Sequence, residues 1–196
     1  MDVGTALDLG GVFGQRQAVS APASHDPSGD PALVAAARDG DRAAFGRLYD
    51  RYARMVHGIL LARVPHAEVT DLVQDVFLQA MRRLHTLRDT GAFGGWLAMI
   101  ARNRASDYFR RSRPMDELPE EIGGRDPHHA EAAAALKAIQ ALPEAYRETL
   151  MLRLVEGMTG PEIAARTGMT PASVRVNLHR GMKQLREKLG WGESHE

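Results

Sequence analysis

Residues 159–185 carry the pattern that decides the fold, and they read TGPEIAARTGMTPASVRVNLHRGMKQL. The TGPE segment at 159–162 has a Thr cap, a Pro in the first turn and a Glu placed to complete a capping box, which predicts the start of a helix. Gly168 predicts the end of that helix in a left-handed turn. The TP pair at 170–171 is a second cap, so the sequence predicts two helices joined by a tight turn, a helix-turn-helix.

The second helix of this pair has an apolar face and a basic face. Val174, Leu178 and Leu185 are spaced to face a core. The remaining positions are candidate DNA contacts: Ser173, Arg175, Val176, Asn177, His179, Arg180 and Lys183. Arg can bridge the acceptors of guanine or bind phosphate, and the N–H groups of a helix N-terminus can bind the DNA backbone. The alternative is that this face is only solvated and binds nothing. For Asn177, recognition of adenine and simple exposure to solvent both remain open.

The first half of the chain is also helical by pattern. Apolar residues recur every three or four positions within 45–60, 69–84 and 93–108, and a short helix is expected before Gly40. The second of these stripes includes Met81. No segment alternates convincingly with a period of two, so the chain is predicted to be all-α, with a helical bundle followed by the helix-turn-helix domain.

The formal net charge of the 196 residues is zero, because 25 Lys and Arg balance 25 Asp and Glu. This balance excludes a protein that is basic all over. The charge is −3 over 1–30, +6 over 31–113, −5 over 114–135, +4 over 136–189 and −2 over 190–196. We interpret these blocks in order as a flexible arm, a small helical domain, a flexible acidic linker, a second small helical domain and a tail.

Composition also argues against several other classes of protein. Cys is absent, which excludes disulfides and Cys-based zinc sites. No apolar run approaches the roughly 18 residues of a membrane span, and the N-terminus does not resemble a secretory signal, so we expect a cytoplasmic protein without membrane insertion. The GGVFG segment at 10–14 lacks the spacing and the Lys of a phosphate loop, and His128 with His129 makes a weak metal site. We therefore expect no cofactor, no metal and no enzymatic activity.

Aromatic and basic residues crowd the last predicted helix of the first half. The candidate contacts there are Trp96, Asn103, Arg104, Asp107, Arg110 and Arg111. Bases of a melted strand can stack on aromatic rings while Arg neutralises phosphate, so this composition suits melted DNA. Two alternatives stay open: Trp96 could belong to the core, and Arg110 with Arg111 could be a favourable basic helix end.

The preceding predicted helix carries an acidic stripe instead. Asp71, Gln74 and Asp75 form it together with Glu68. A solvated face is the default interpretation. A protein-binding face is the alternative, because most other polar helix faces of the chain are basic.

The order of these motifs resembles that of bacterial RNA polymerase sigma factors. Three segments resemble the second conserved region of these proteins: DLVQDVFL at 71–78, WLAMIARN at 96–103 and DYFRR at 107–111. Four segments resemble their fourth conserved region: LP at 142–143, GMT at 157–159, EIA at 162–164 and VRVNLHR at 174–180. Only these two regions are present, over residues 31–189, which is the pattern of the extracytoplasmic-function class of the sigma-70 family.

The resemblance implies a dissociable specificity subunit of RNA polymerase. The acidic stripe at Asp71, Gln74 and Asp75 would bind the clamp helices of the largest subunit, with the flap as a further polymerase contact. The loop at 85–92 would capture a base flipped from the melted minus-ten element. The minus-ten element and its upstream duplex would be contacted by Asn103, Arg104, Asp107, Arg110 and Arg111. The acidic linker would run toward the RNA exit path of the polymerase.

The resemblance also assigns the basic helix to the minus-thirty-five element. Arg175, Val176, His179 and Arg180 would read that element in the major groove. The sequence departs from the common pattern at 171–172 and at Asn177, which leaves the promoter sequence open. An inhibitory anti-sigma factor is a further expected partner, because two small domains on a tether could be bridged by one protein.

The main alternative is a stand-alone helix-turn-helix regulator that binds duplex DNA as a dimer. It would explain the basic helix after Pro171. It would leave the cluster from Trp96 to Arg113 and the acidic stripe without a function.

Overall fold

The computed structural model describes residues 30–111 and 127–190, with side chains from residue 132 onward in the second range. The helices of these ranges are α1 (Asp30–Arg38), α2 (Arg42–Leu61), α3 (His66–Arg83), α4 (Phe93–Arg111), α5 (Pro127–Gln140), α6 (Glu144–Leu150), α7 (Gly160–Thr167) and α8 (Pro171–Lys188). Single 3₁₀ turns at Leu84–Thr86 and Thr90–Ala92 lie between α3 and α4, and a π turn at Met151–Val155 extends α6. The described ranges contain no strand, and the all-α prediction is confirmed for them.

Helix α2 is the centre of the first half. It begins after Asp41 because the carboxylate accepts hydrogen bonds from the N–H groups of Ala43 at 2.8 Å and Ala44 at 3.0 Å. Its apolar side, which includes the fully buried Leu48 and Ile59, packs against α1, α3 and α4. Burial of this stripe is what holds the four helices together.

The predicted helix-turn-helix is present as α7 and α8. The Glu162 carboxylate accepts a hydrogen bond from the Thr159 N–H at 2.8 Å, and Thr159 Oγ1 accepts one from the Glu162 N–H at 3.4 Å, which completes the capping box. Helix α7 ends at Gly168, whose φ of +75° favours glycine because it has no Cβ. Thr170 then caps α8. The turn chemistry alone therefore fixes where both helices begin.

Two features of the helices differ from the sequence-based expectation. Helix α5 begins at Pro127, inside the predicted linker at 114–135, because the Ala-rich segment 130–135 favours helix and Pro is tolerated in a first turn. Met81 was expected on the buried stripe of α3 but is 48% exposed. With a rotation of 100° per residue, Met81 lies at the edge of the arc of buried residues around α3. Its angular position is closer to that of Gln74 than to the centre of this arc.

Several predictions fall on residues that the structure does not describe. They concern residues 1–29 of the predicted arm at 1–30, the last two residues of the predicted domain at 31–113, residues 114–126 of the predicted linker at 114–135, and residues 191–196 of the predicted tail at 190–196. Among the helices that are described, none combines the length and the apolar character that a membrane crossing requires.

The two halves of the chain pack against each other. Ile139, Leu152 and Ile163 from the second half belong to the same buried cluster as Leu48 and Ile59 from the first. The sequence predicts two domains on a flexible connection and gives no sign of this packing, because helical periodicity reports which face is buried and not what covers it.

Candidate nucleic-acid interface

Helix α8 turns the predicted contact set away from the core. Val174 and Leu185 are buried, with exposed fractions of 1% and 2%, and they fix the rotation of the helix. Six of the seven predicted contacts are exposed: Ser173, Arg175, Val176, His179, Arg180 and Lys183. The seventh, Asn177, is half-buried. Because residues four apart lie one turn apart on the same face, the exposed set forms a continuous basic strip along the helix.

Ser173 takes part in the cap of α8. Thr170 Oγ1 accepts a hydrogen bond from the Ser173 N–H at 3.1 Å and donates one to Ser173 Oγ at 2.8 Å. The Ser173 hydroxyl keeps its own proton as a donor, so it can still bind a phosphate oxygen. The cap therefore positions Ser173 without using up its donor.

The predicted contacts on α4 differ in how freely they can reach a ligand. Asn103, Arg110 and Arg111 are exposed, whereas Arg104 and Asp107 are half-buried. Arg110 donates a hydrogen bond to the Asp107 carboxylate. The C-terminal end of α4 thus presents its basic residues to solvent.

Trp96 packs on the core rather than projecting from α4. It is half-buried, and its ring centroid lies 5.9 Å from that of Phe93. The interpretation of Trp96 as a core residue accounts for this position. Stacking of a DNA base on its exposed part stays a prediction.

The loop at 85–92 is mostly exposed and is held at two points. Leu87 is buried, and its carbonyl accepts a hydrogen bond from Arg38 Nη1 at 3.4 Å. The Asp89 carboxylate accepts one from the Gly91 N–H at 2.9 Å. These contacts give the loop a defined shape beside the N-terminus of α4.

The acidic stripe of α3 continues into apolar residues that the sequence analysis missed. Asp71 and Gln74 are exposed, and Leu78 and Met81, at 53% and 48% exposure, extend the same face toward the end of the helix. Tyr49 of α2 borders this face, 4.6 Å from the Phe77 ring. A signal was available, since Leu78 lies one turn beyond Gln74 and opposite the buried stripe.

Asp75 and Arg104 are brought together although they were assigned to different partners. Arg104 Nε lies 3.2 Å from Asp75 Oδ2, and Nη2 makes a second, closer contact with the same oxygen. The exposed fractions of the two side chains are 44% for Asp75 and 21% for Arg104. The pair joins the acidic face of α3 to the basic helix α4.

A buried carboxylate links the two halves of the molecule. Glu148 of α6, only 2% exposed, binds Arg63 Nη2 at 2.6 Å and Arg102 Nη2 at 2.7 Å. Burial would raise the pKa of Glu148, but the hydrogen bond from Arg102 and the charges of Arg63 and Arg102 lower it below its ordinary value. The hydrogen bond to Glu148 likewise raises the pKa of Arg102, against the effect of burial.

Two grooves lie next to these surfaces. One of about 680 Å³ runs between α7 and α8 and is lined mainly by apolar residues that include Ala164, Met169 and Leu178. The other, of about 280 Å³, is lined by residues of both halves, which include Gln74 of α3 and Glu156. Within the described ranges, no cluster of three or more His, Asp or Glu side chains is arranged to hold a metal ion.

Comparison with known proteins assigns each half of the chain to a protein family model. Residues 48–114 match the family model Sigma-70 region 2, and residues 132–185 match the model Sigma-70, region 4. The RNA polymerase sigma factor CarQ of Myxococcus xanthus is 34% identical over 166 residues, which cover 78% of this chain and 93% of that protein. The chain belongs to the sigma-70 family of RNA polymerase sigma factors.

Further relatives specify the class of this sigma factor. The ECF RNA polymerase sigma-E factor of Escherichia coli strain K12 is 29% identical over 182 residues, covering 82% of this chain and 94% of the relative. The structure of CnrH in complex with the cytosolic domain of CnrY matches with a TM-score of 0.61 and 27% identity, over 86% of this chain and 100% of that one. The chain is a sigma factor of the extracytoplasmic-function class, a family not known for enzymatic activity, and the stand-alone regulator is not favoured.

Proposed function

We propose that this sigma factor directs core RNA polymerase to its promoters through three surfaces. Residues 31–113 bind the polymerase and the minus-ten element, and residues 136–189 bind the minus-thirty-five element. The residues of the predicted linker at 114–135 that precede α5, which begins at Pro127, connect these two domains. The two DNA-binding surfaces differ in chemistry. Duplex recognition needs a rigid helix in a groove, whereas strand opening needs cations near exposed bases.

The exposed strip on α8 is the observation that carries this proposal. Ser173, Arg175, Val176, Asn177, His179, Arg180 and Lys183 are the proposed contacts to the minus-thirty-five element. Arg175 and Arg180 supply forked donors that match guanine or phosphate, while Val176 supplies an apolar contact for a thymine methyl group. The buried Val174 and Leu185 hold the helix at the rotation that directs this strip outward.

The basic end of α4 is the proposed minus-ten surface, together with the loop at 85–92. The contacts are Trp96, Asn103, Arg104, Asp107, Arg110 and Arg111. Exposure of Asn103, Arg110 and Arg111 supports the assignment, since each can reach a phosphate or a base edge without rearrangement of the helix.

The outer face of α3 is the proposed polymerase-binding surface. Asp71, Gln74 and Asp75 offer acidic and polar groups, and Leu78 and Met81 add exposed apolar area beside them. A helical partner with basic residues flanking apolar ones fits this combination, as expected for the clamp helices. The flap is the proposed polymerase contact of the second domain.

The remaining partners and the location follow from this function. One protein could bridge the two small domains of the chain, and the similar protein CnrH was solved with a second protein, the cytosolic domain of CnrY. We therefore propose that this sigma factor also binds an inhibitory anti-sigma protein. It acts in the cytoplasm, where the polymerase and the promoters are, and it performs no catalysis of its own.

The assignment of α8 is tested by promoter binding of the reconstituted holoenzyme. We expect Arg175→Ala to weaken promoter binding by tenfold or more and to relax base preference at one upstream position, as for loss of a bidentate contact. Arg186→Ala is the matched control, because it removes the same charge from the same helix three turns later. Equal losses for both variants would contradict base reading by Arg175. Specific binding by the sigma factor without polymerase would favour a stand-alone regulator.

A further inference from the structure

The groove between α7 and α8 is an apolar surface beside the DNA-binding strip, and the proposed function does not use it. We propose that residues 1–13 of the same chain dock in this groove in the free sigma factor and compete there with the minus-thirty-five element. The inference rests on the proposed function only for the competition, because docking itself requires no DNA. Residues 1–13 are called the apolar segment below.

The groove has the size and the lining of a binding site. Its volume is about 680 Å³, within the range of roughly 300–1,000 Å³ that is usual for ligand sites. Ala164 and Val174 line it and are buried, whereas Ala165 and Pro171 are exposed at its rim. A contiguous apolar surface that is open to solvent marks an interaction site.

Promoter DNA does not match the chemistry of this groove. Arg175 is the one charged side chain among the groove-lining residues, and it also belongs to the exposed strip on α8. DNA offers phosphates and mainly polar base edges, with the thymine methyl group as the apolar exception. A ligand that fills the groove is therefore apolar, and it meets the same Arg175 that DNA needs.

The first thirteen residues of the chain have the composition that the groove requires. After Met1 they contain five large apolar side chains: Val3, Leu7, Leu9, Val12 and Phe13. They also contain Asp2 and Asp8 but no Lys or Arg, so their charge is complementary to that of Arg175. Residues 14–29 are different, because they are mostly small or polar, include two Pro and contain Val19 as their only large apolar residue.

The start of α1 lies close to α7. Asp30, the first residue of α1, is buried, accepts a hydrogen bond from the Tyr52 hydroxyl at 2.7 Å and is ion-paired with Arg51. The Arg51 carbonyl in turn accepts a hydrogen bond from Arg166 Nη1 of α7 at 2.8 Å. A single residue, Arg51, therefore joins the point where residues 1–29 end to the helix that forms one wall of the groove.

Residues 14–29 are long enough to connect this point with the groove. At 100° per residue, Arg166 is rotated by about 100° from Ala165 and about 160° from Ala164, so the groove lies on the far side of α7. An α-helix is about 10–12 Å wide. A flexible chain of sixteen residues, the length of 14–29, has a root-mean-square end-to-end distance of about 20–24 Å. The apolar segment can therefore reach the groove without full extension of the residues that tether it.

Attachment to the same chain favours docking and keeps it reversible. A short tether holds a segment at an effective concentration of about millimolar, so a segment with weak intrinsic affinity still occupies its site. Promoter DNA held by the polymerase competes for Arg175 and displaces the segment. The groove thereby lowers DNA binding by the free sigma factor more than DNA binding by the holoenzyme.

A photocrosslinker placed in the apolar segment tests the docking directly. The chain contains no Cys, so Phe13→Cys gives a single site for benzophenone maleimide, which also replaces the lost ring. Irradiation of the free 196-residue protein is expected to join position 13 to residues between 160 and 178, as read by mass spectrometry of peptides. A mixture of ¹⁵N-labelled and unlabelled protein separates crosslinks within one chain from crosslinks between two copies. Crosslinks only between copies, or mainly to other helices, would overturn the proposal.

A charge placed at the rim of the groove tests the position of the contact. Ala165→Glu, at an exposed site, adds a carboxylate that repels Asp2 and Asp8, so the yield of the crosslink should fall several-fold. Ala145→Glu is the matched control, because Ala145 is exposed on α6 and lies outside the groove. It is expected to leave the yield unchanged. Equal yields from the two variants would contradict docking between α7 and α8.

Substitutions that preserve the charge of the apolar segment test the competition with DNA. Leu7→Ser with Phe13→Ser should increase the affinity of the free protein for a short DNA duplex about tenfold, which corresponds to a groove occupied about nine-tenths of the time. Val19→Ser is the control and should bind as the wild type does. Fluorescence anisotropy measures the three affinities. Equal affinities for all three proteins would overturn the competition.

The outcomes separate this inference from the proposed function. A protein that directs transcription with core polymerase but gives no crosslink to the groove would overturn the docking and leave the proposed function intact. A crosslink to the groove, together with unchanged promoter binding by the Arg175→Ala holoenzyme, would support the docking and contradict the proposed reading of DNA by α8.

Discussion

Arg104 of α4 is ion-paired with Asp75 of α3, with Nε 3.2 Å from Oδ2. The two residues were assigned to different partners, Arg104 to DNA and Asp75 to the polymerase. In the free sigma factor each charge is therefore offset by the other. If a cationic group of the polymerase binds Asp75, as proposed, Arg104 becomes available for a phosphate, so we expect polymerase binding and DNA binding to be coupled at this pair.

Asp75→Asn tests this coupling. We expect weaker binding to core polymerase, together with tighter nonspecific DNA binding by the free sigma factor. The salt dependence of DNA binding should steepen by up to about one unit, the effect of one additional phosphate contact. Fluorescence anisotropy over a series of salt concentrations measures both quantities. Asp71→Asn is the control, since Asp71 is exposed one turn earlier on α3, and it should weaken polymerase binding alone. Identical DNA binding by Asp75→Asn and the wild type would show that the pair does not restrain Arg104.

Glu148→Gln tests the buried ion pairs and their pH dependence. Because the Arg residues hold the pKa of Glu148 below its ordinary value of 4.5, the charged carboxylate stabilises the fold above that value. This stabilisation is lost as the pH falls through the lower pKa of the folded state.

We therefore expect Glu148→Gln to lower the free energy of unfolding at neutral pH by about 3 kcal/mol. Its stability should also fall less steeply than that of the wild type on acidification below about pH 4.5. Urea denaturation at a series of pH values measures both effects. Glu187→Gln, at an exposed position of α8, is the control. Parallel acid profiles for Glu148→Gln and the wild type would exclude Glu148 as the source of the pH dependence.

Thr170→Ala tests the cap of the DNA-binding helix. Loss of the hydroxyl removes the acceptor for the Ser173 N–H at 3.1 Å, so the free energy of unfolding should fall by about 1 kcal/mol. Thr170→Ser keeps the hydroxyl and should restore most of this loss. Thermal unfolding followed by circular dichroism compares the three proteins. Equal melting temperatures for the Ala and Ser variants would mean that the hydroxyl does not cap α8.

Met81→Ser tests the apolar part of the polymerase surface. Met81 is 48% exposed, so its replacement should cost little stability while it weakens binding to core polymerase several-fold. Met99→Ser is matched, because Met99 is 54% exposed but lies on α4, away from this face. Competition for core polymerase against a labelled wild-type sigma factor measures the difference. Equal competition by the two variants would show that Met81 is not part of the polymerase-binding surface.

The local structure of the chain could be predicted because short-range chemistry determines it. The capping box at Thr159, the left-handed turn at Gly168 and the cap at Thr170 each depend on residues at most four positions apart. The direction of the basic face of α8 follows from the same spacing. These features can be predicted without knowledge of the tertiary contacts between helices.

The contacts between distant residues could not be predicted in this way. Arg104 and Asp75 are 29 positions apart, and Arg102 and Glu148 are 46 apart. Helical periodicity identifies an apolar stripe but not the helix that covers it, so the packing between the two halves could not be predicted from the sequence. Met81 was misassigned for a related reason, since a residue at the edge of a stripe is buried or exposed according to its neighbours in space.

Run-off transcription with purified core polymerase and a pool of genomic templates tests the central claim most directly. We expect discrete transcripts that begin at defined sites when the sigma factor is added, and their loss when Arg175 and Arg180 are both replaced by Ala. No initiation above that of core polymerase alone would contradict it.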